Sequence, residues 1–239
     1  MKKENLKTLV ESLGQKYSEI LGINLSDGRD EEVFKWFLAS VLFGAPITES
    51  AVIKTYGCFQ KYGVLTPKKI LKTGWDGLVK ILDEGSYTRY DFKTADKLLA
   101  VMESLMEKYN GSLSLIHSEA SDARDLEYRL KSLGKGIGEV TVSIFLRELR
   151  GIWEKADPSP TNLEILAAKE LGIIKKDATA ENALKQLKVF WAKNKVTRRD
   201  FVNFETALLR LGKDFCRKGK CANCLVSNGC LSRRVPLHR

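Results

Sequence analysis

The chain has 239 residues, room for one large domain or two small ones with ample material for a core. Apolar residues make up 44% and charged residues 29%, with no run long enough to span a membrane; the basic start leads into an amphipathic helix, not a secretory leader, so a cytoplasmic chain is expected. A net charge of +10 favours polyanionic partners, although a generally basic surface would give the same sum. Only His117 and His238 are present, which leaves little room for histidine catalysis or a histidine-rich zinc site.

The expected elements are all helical. Residues 5–21 read as one helix, with Leu6, Leu9, Val10, Leu13 and Tyr17 on one face. A strongly apolar helix over Val33–Phe43 ends at Gly44-Ala45-Pro46. Thr48 is placed to cap a helix to Tyr62, and Thr66-Pro67 opens a short one by the cap-then-proline rule. Residues 75–83 form another, stopped by the loop Gly85–Tyr90, and Asp91 to Lys108 makes a long helix ended by Asn110-Gly111. Ser159-Pro160 is expected to open a helix reaching Leu171-Gly172, followed by helices over 180–192 and 198–211. No segment shows convincing strand alternation.

Two stretches carry chemistry. In Leu133-Gly-Lys-Gly-Ile-Gly-Glu-Val-Thr141 three glycines sit between two helical patterns, one with Leu126, Leu130 and Leu133, the other with Val142, Phe145, Leu146 and Leu149. This predicts a helical hairpin. Glycine admits positive φ and close backbone approach, and the first amides of the second helix suit a phosphate. A purely structural turn is the alternative. The second stretch is Cys216-x4-Cys221-x2-Cys224-x5-Cys230. Four thiolates in one compact loop can hold a [4Fe–4S] cluster or a tetrahedral zinc, and a pair of disulfides is the third option. Cys58 stands alone and is read as a small buried hydrophobe.

Gly136-Ile-Gly138-x-x-Thr141, with Asp157 sixteen residues past its end and the cysteine box after the last helix, resembles the helix-hairpin-helix (HhH-GPD) DNA glycosylase superfamily, in particular its endonuclease III-like members. The resemblance implies an all-α, two-domain fold with a C-terminal [4Fe–4S] loop over 216–230. A central domain, here 28–150, ends in the hairpin, and a second is made of 1–27 plus 151–239. It further implies Asp157 as the catalytic carboxylate, with an ordinary Asp-Pro turn as the alternative. Lys135, Gly136, Gly138, Arg217, Lys218 and Lys220 are the implied DNA contacts, and Cys216, Cys221, Cys224 and Cys230 the cluster ligands. Members that cut the strand carry a lysine two residues after the second hairpin glycine; Val140 stands there in this chain. That departure points to a glycosylase without lyase activity, with a glycosylase/AP lyase using another amine as the alternative. Ala45, Pro46, Tyr87, Tyr90 and Val140 are the expected base-flipping or pocket residues. The expected partner is double-stranded DNA with a damaged or mismatched base, met by a monomer on the nucleoid. A non-catalytic DNA- or abasic-site-binding protein and a metal-stapled helical interaction module are readings of other classes.

Overall fold

A computed structural model describes residues 1–231 of the chain. It divides into two compact units, Met1–Tyr17 with Ser159–Arg239, and Ser18–Pro158. All regular structure among the described residues is helical, apart from an isolated bridge between Arg150 and Trp153. None of these helices is long and apolar enough to cross a membrane.

The first helix, α1, covers Lys3–Leu13 rather than running to residue 21. It stops because a Cβ at Gly14 would lie 2.4 Å from the Val10 carbonyl oxygen and 2.7 Å from that of Asn203, so the chain turns there in close contact. A short α2, Tyr17–Ile20, follows. Helix α3 (Asp30–Phe43) is buried on nearly every side by Trp36, Phe37, Leu38, Val41 and Leu42, as a core helix must be. Thr48 caps α4 (Glu49–Lys61) and Thr66 caps α5 (Pro67–Glu84), each hydroxyl accepting a backbone N–H. Gly74, at φ 67°, bends α5 into the two helical pieces the sequence predicts. Helix α6 (Asp91–Tyr109) ends on left-handed Asn110. A short α7 (Leu113–Glu119) has no counterpart among the sequence expectations; Ser112 caps it, and Leu113 and Ile116 are buried.

Helices α8 (Ala123–Lys131) and α9 (Glu139–Leu149) flank the glycine hairpin. The Trp36 indole N–H donates to the Phe145 carbonyl at 3.0 Å, and Phe37 meets the Phe145 ring edge-on at 5.2 Å, so α3 is the floor on which α9 is set. The Tyr87 hydroxyl reaches across to donate to the Leu42 carbonyl at 2.6 Å. Replacing Tyr87 by Phe removes that buried bond, and we expect a loss of about 1 kcal/mol, read as a lower urea midpoint at unchanged slope.

Helix α10 (Asn162–Glu170) starts later than Ser159-Pro160 suggests. Thr161 and Glu164 close a capping box, which outcompetes the proline signal as the start. Helices α11 (Ala180–Asn194) and α12 (Phe201–Leu211) complete this unit with α1, around Leu9, Val10, Ala167, Leu187, Phe204 and Leu208. Trp191 stacks on Phe204 at 5.3 Å. The last turn of α12 widens into a π-helical turn over Gly212–Cys216. Gly212 permits this, since a Cβ there would sit 2.1 Å from the Leu163 carbonyl oxygen.

Candidate functional site

The hairpin is built by its alternation. Leu133 and Ile137 turn inward and are buried, so Lys135, Gly136 and Gly138 are left on the outside. The Ile137 N–H donates to the Gly134 carbonyl at 3.2 Å to close the turn, and Gly136 takes φ 95°, which favours glycine. Gly138 caps α9 without a side-chain partner for the helix's first amides. Val140 stands in that first turn and is 61% exposed. Thr141 beside it is buried, and its hydroxyl occupies the place a side chain on Gly44 would need, 2.2 Å from the ideal Cβ position. The Gly44–Thr48 loop is therefore pressed against the start of α9, with Ala45 half-buried and Pro46 exposed.

The Gly85–Tyr90 loop is fixed to the same region. Gly85 lies against Thr55, Ser86 is left-handed at φ 70°, and Tyr87 is 0% exposed with its hydroxyl on the carbonyl of Leu42. Tyr87 is thus part of the core, and the loop turns Thr88 and Arg89 outward instead. Tyr90 is half-buried beneath the Arg89 guanidinium, 5.5 Å from its ring centre.

Asp157 follows α9 in the chain, seven residues after Arg150. Trp153 is buried, packed edge-on to Phe145 at 5.6 Å and stacked on His117 at 4.7 Å, and Lys155 donates to the His117 carbonyl at 2.7 Å. Burial pushes the His117 imidazole below its ordinary range, with the Lys155 charge adding to the effect. With Trp153 and Ala156 held inward, the Asp157 side chain points out and is 40% exposed. Arg150, whose own side chain is only 9% exposed, donates one guanidinium N–H to Asp157 Oδ1. A second goes to the Pro158 carbonyl at 2.8 Å. Sequence reasoning missed this clamp, since nothing in an Arg-Gly-Ile-Trp stretch tells that the arginine folds back over seven residues. Glu154, the neighbouring carboxylate, is exposed.

In the C-terminal loop the π-helical turn carries Cys216 off the end of α12, while Cys221 and Cys230 each border a single 3-10 turn. All four cysteines are half-buried free thiols, and Cys216, Cys224 and Cys230 pack on the apolar cluster of this unit. Burial pushes the Cys216 thiol up to about 12, and Cys224, Cys230, Glu170 and Cys221 add to it, in that order, so the four sulfurs share one neighbourhood. They are not drawn to a common centre: among the described residues no three metal-binding side chains stand at ligating geometry, and Cys230 Sγ donates to the Glu170 carbonyl at 3.3 Å. The donor set itself, four cysteines in one loop, three of them on an apolar floor, fits a four-thiolate metal group. Arg217, Lys218 and Lys220 are exposed on the turn between the first two cysteines, and Lys218 meets Asp214 at 3.1 Å.

Fold and hairpin together define the class: the chain has the all-helical endonuclease III fold. A non-covalent Endonuclease III–DNA complex matches it with a TM-score of 0.51 at 18% identity, over 97% of this chain and 96% of that one. A trapped Endonuclease III–DNA covalent intermediate, an estranged-adenine complex, matches with the same score, identity and coverage. No protein-family model and no curated sequence matches the chain.

Proposed function

We propose that this chain is a monofunctional DNA glycosylase of base excision repair, which hydrolyses the N-glycosidic bond of a flipped damaged or mismatched base and leaves the strand intact. The observation that carries the reading is an exposed carboxylate, Asp157, held by a nearly buried arginine in a chain with the endonuclease III fold. Positive charge builds on the sugar as the base departs, and an ionised carboxylate ~4 Å away favours that state by roughly 4 kcal/mol at an effective dielectric of 20. Arg150 holds the carboxylate at Oδ1 and fixes the aim of the group that would orient an attacking water. Lys135, Gly136 and Gly138 are the proposed phosphate contacts of the hairpin. Ala45, Pro46, Tyr90 and Val140 are the proposed surroundings of the flipped base, with Tyr87 supporting them from the core. The partner is double-stranded DNA carrying the lesion, bound by a monomer.

Cys216, Cys221, Cys224 and Cys230 would hold a [4Fe–4S] cluster, zinc being the alternative. The group would supply a structural staple that presents Arg217, Lys218 and Lys220 to phosphate, and hydrolysis of the base needs no electron from it.

Val140 supports hydrolysis over lyase chemistry, because a hydrocarbon side chain cannot form a Schiff base with the sugar. End-labelled duplexes carrying uracil, a mismatch, an oxidised base or an alkylated purine test this. Breaks should appear only after alkali; breaks without alkali would refute the monofunctional reading. Since position 140 is exposed, Val140→Lys should fold, cut strands without alkali and become trappable on DNA by borohydride. The Arg150–Asp157 pair also supports a second reading, a non-catalytic DNA- or abasic-site-binding protein in which Asp157 only shapes a turn. Binding without base release on every duplex would favour it.

A further inference from the structure

Lys97 projects from α6 beneath the hairpin. A Cβ built on Gly136 would lie 2.6 Å from Lys97 Cε and 3.4 Å from Nζ, so the lysine's end occupies the space that glycine leaves open. One turn further along α6, Val101 fills the same role under Gly134, 2.9 Å from its ideal Cβ position. The stem is therefore packed, and the side chain is half-buried.

Among the described residues, no hydrogen bond or ion pair holds the Lys97 ammonium. Burial pulls its amine below the ordinary lysine range, and no carboxylate acts against that pull. Three other partly covered lysines differ: Lys16 meets Asp200, Lys35 meets Glu32 and Lys155 meets the His117 carbonyl. Partial desolvation of a charge without a counter-charge costs stability. In the hairpin that Lys97 packs against, the amides of Gly136, Gly138, Glu139 and Val140 make no backbone hydrogen bond. An anion seated at Gly136 would meet the cation on a turn that still has amides to offer.

We infer that Lys97 is a ligand of the DNA phosphate seated on the hairpin, a cation supplied from α6 rather than from the hairpin itself. This deepens the reading of the hairpin as a DNA site and rests on it. Lys135, exposed on the turn, contributes a more screened charge. The lysine covered by protein is held in one place by its packed stem.

The test is the salt dependence of binding to a duplex with a tetrahydrofuran abasic analogue, read by fluorescence anisotropy on the full chain and on Lys97→Met and Lys97→Arg. Methionine keeps the stem and removes the charge. It should flatten the slope of log affinity against log salt by about 0.9, the share of one phosphate, and weaken binding several-fold at low salt. Arginine should keep the slope. The DNA-free Lys97→Met protein should melt no lower than the parent, which separates this role from a structural one. An unchanged slope in Lys97→Met, beside a steep slope in the parent, overturns the assignment and leaves the hairpin reading standing. No salt-dependent binding by the parent overturns both. On a duplex with a true abasic site, whose C1′ aldehyde can condense with an amine and lose water, a borohydride-trapped adduct in the parent that vanishes in Lys97→Met would make the amine a nucleophile and overturn the phosphate role.

Discussion

Asp157→Asn should lower the single-turnover rate of base release by about 10²- to 10³-fold, the usual cost of losing one electrostatic contact made in the transition state. Affinity for an uncleavable duplex should stay essentially unchanged. The substitution is suited to the question because asparagine keeps the shape and can still accept the Arg150 N–H through its amide oxygen. What disappears is the negative charge that the proposed mechanism sets against the developing oxocarbenium. Because the Asp157 side chain is 40% exposed, stability should change little. Arg150 is nearly buried and depends on the Asp157 and Pro158 acceptors, so Asp157→Ala is the poorer experiment: it would leave a desolvated guanidinium short of a partner. If Asp157→Asn lost binding and stability together, the residue would be a piece of the Arg150 clamp and nothing more.

Cys224→Ser should have the second large effect. With one of four thiolates gone, the proposed iron–sulfur group should be lost, with its brown colour and its iron. The loop then keeps what its own bonds provide, among them buried Val226, the Leu231 N–H and the Cys230 Sγ on the Glu170 carbonyl, and short turns. Arg217, Lys218 and Lys220 would no longer be held in one arrangement, and the salt dependence of DNA binding should flatten by up to about 2.7, three phosphates at about 0.9 each. Base release at saturating protein should survive, because the proposed chemistry does not pass through the metal group. Cys58→Ser is the control, since Cys58 is buried on α4 in the other unit. A colourless parent with one equivalent of zinc would replace the cluster and keep the rest of this expectation.

Those two variants touch the parts of the molecule that its sequence already displays. Thr48, Thr66-Pro67 and Asn110-Gly111 are local signals, and the helix ends they mark depend on bonds within a few residues. The apolar run of α3 likewise declares a core helix without help from the rest of the chain. The misses are tertiary or short. Gly14 ends α1 because Asn203 comes up against it, almost two hundred residues away in sequence. Helix α7 spans Leu113–Glu119, too short for a helical period to show. Tyr87 looks like a loop aromatic until the Leu42 carbonyl is found at its hydroxyl. For Asp157 the sequence gives the position, but Arg150 and its two bonds come from how the chain folds back after α9. Lys97 is the extreme case: in sequence it is one lysine among many on an amphipathic helix, and only the packing of α6 beneath Gly136 sets it apart.

The central claim is that this chain cuts the bond between base and sugar and no other. The direct measurement is mass spectrometry of both products after incubating the parent protein with duplexes carrying each class of lesion. The account predicts a free base and a full-length strand lighter by that base and heavier by one water oxygen and hydrogen, from one class of duplex, and neither product with Asp157→Asn. A strand cleaved at the lesion without alkali would contradict the hydrolytic mechanism, and unaltered strands from every duplex would contradict the assignment as a glycosylase.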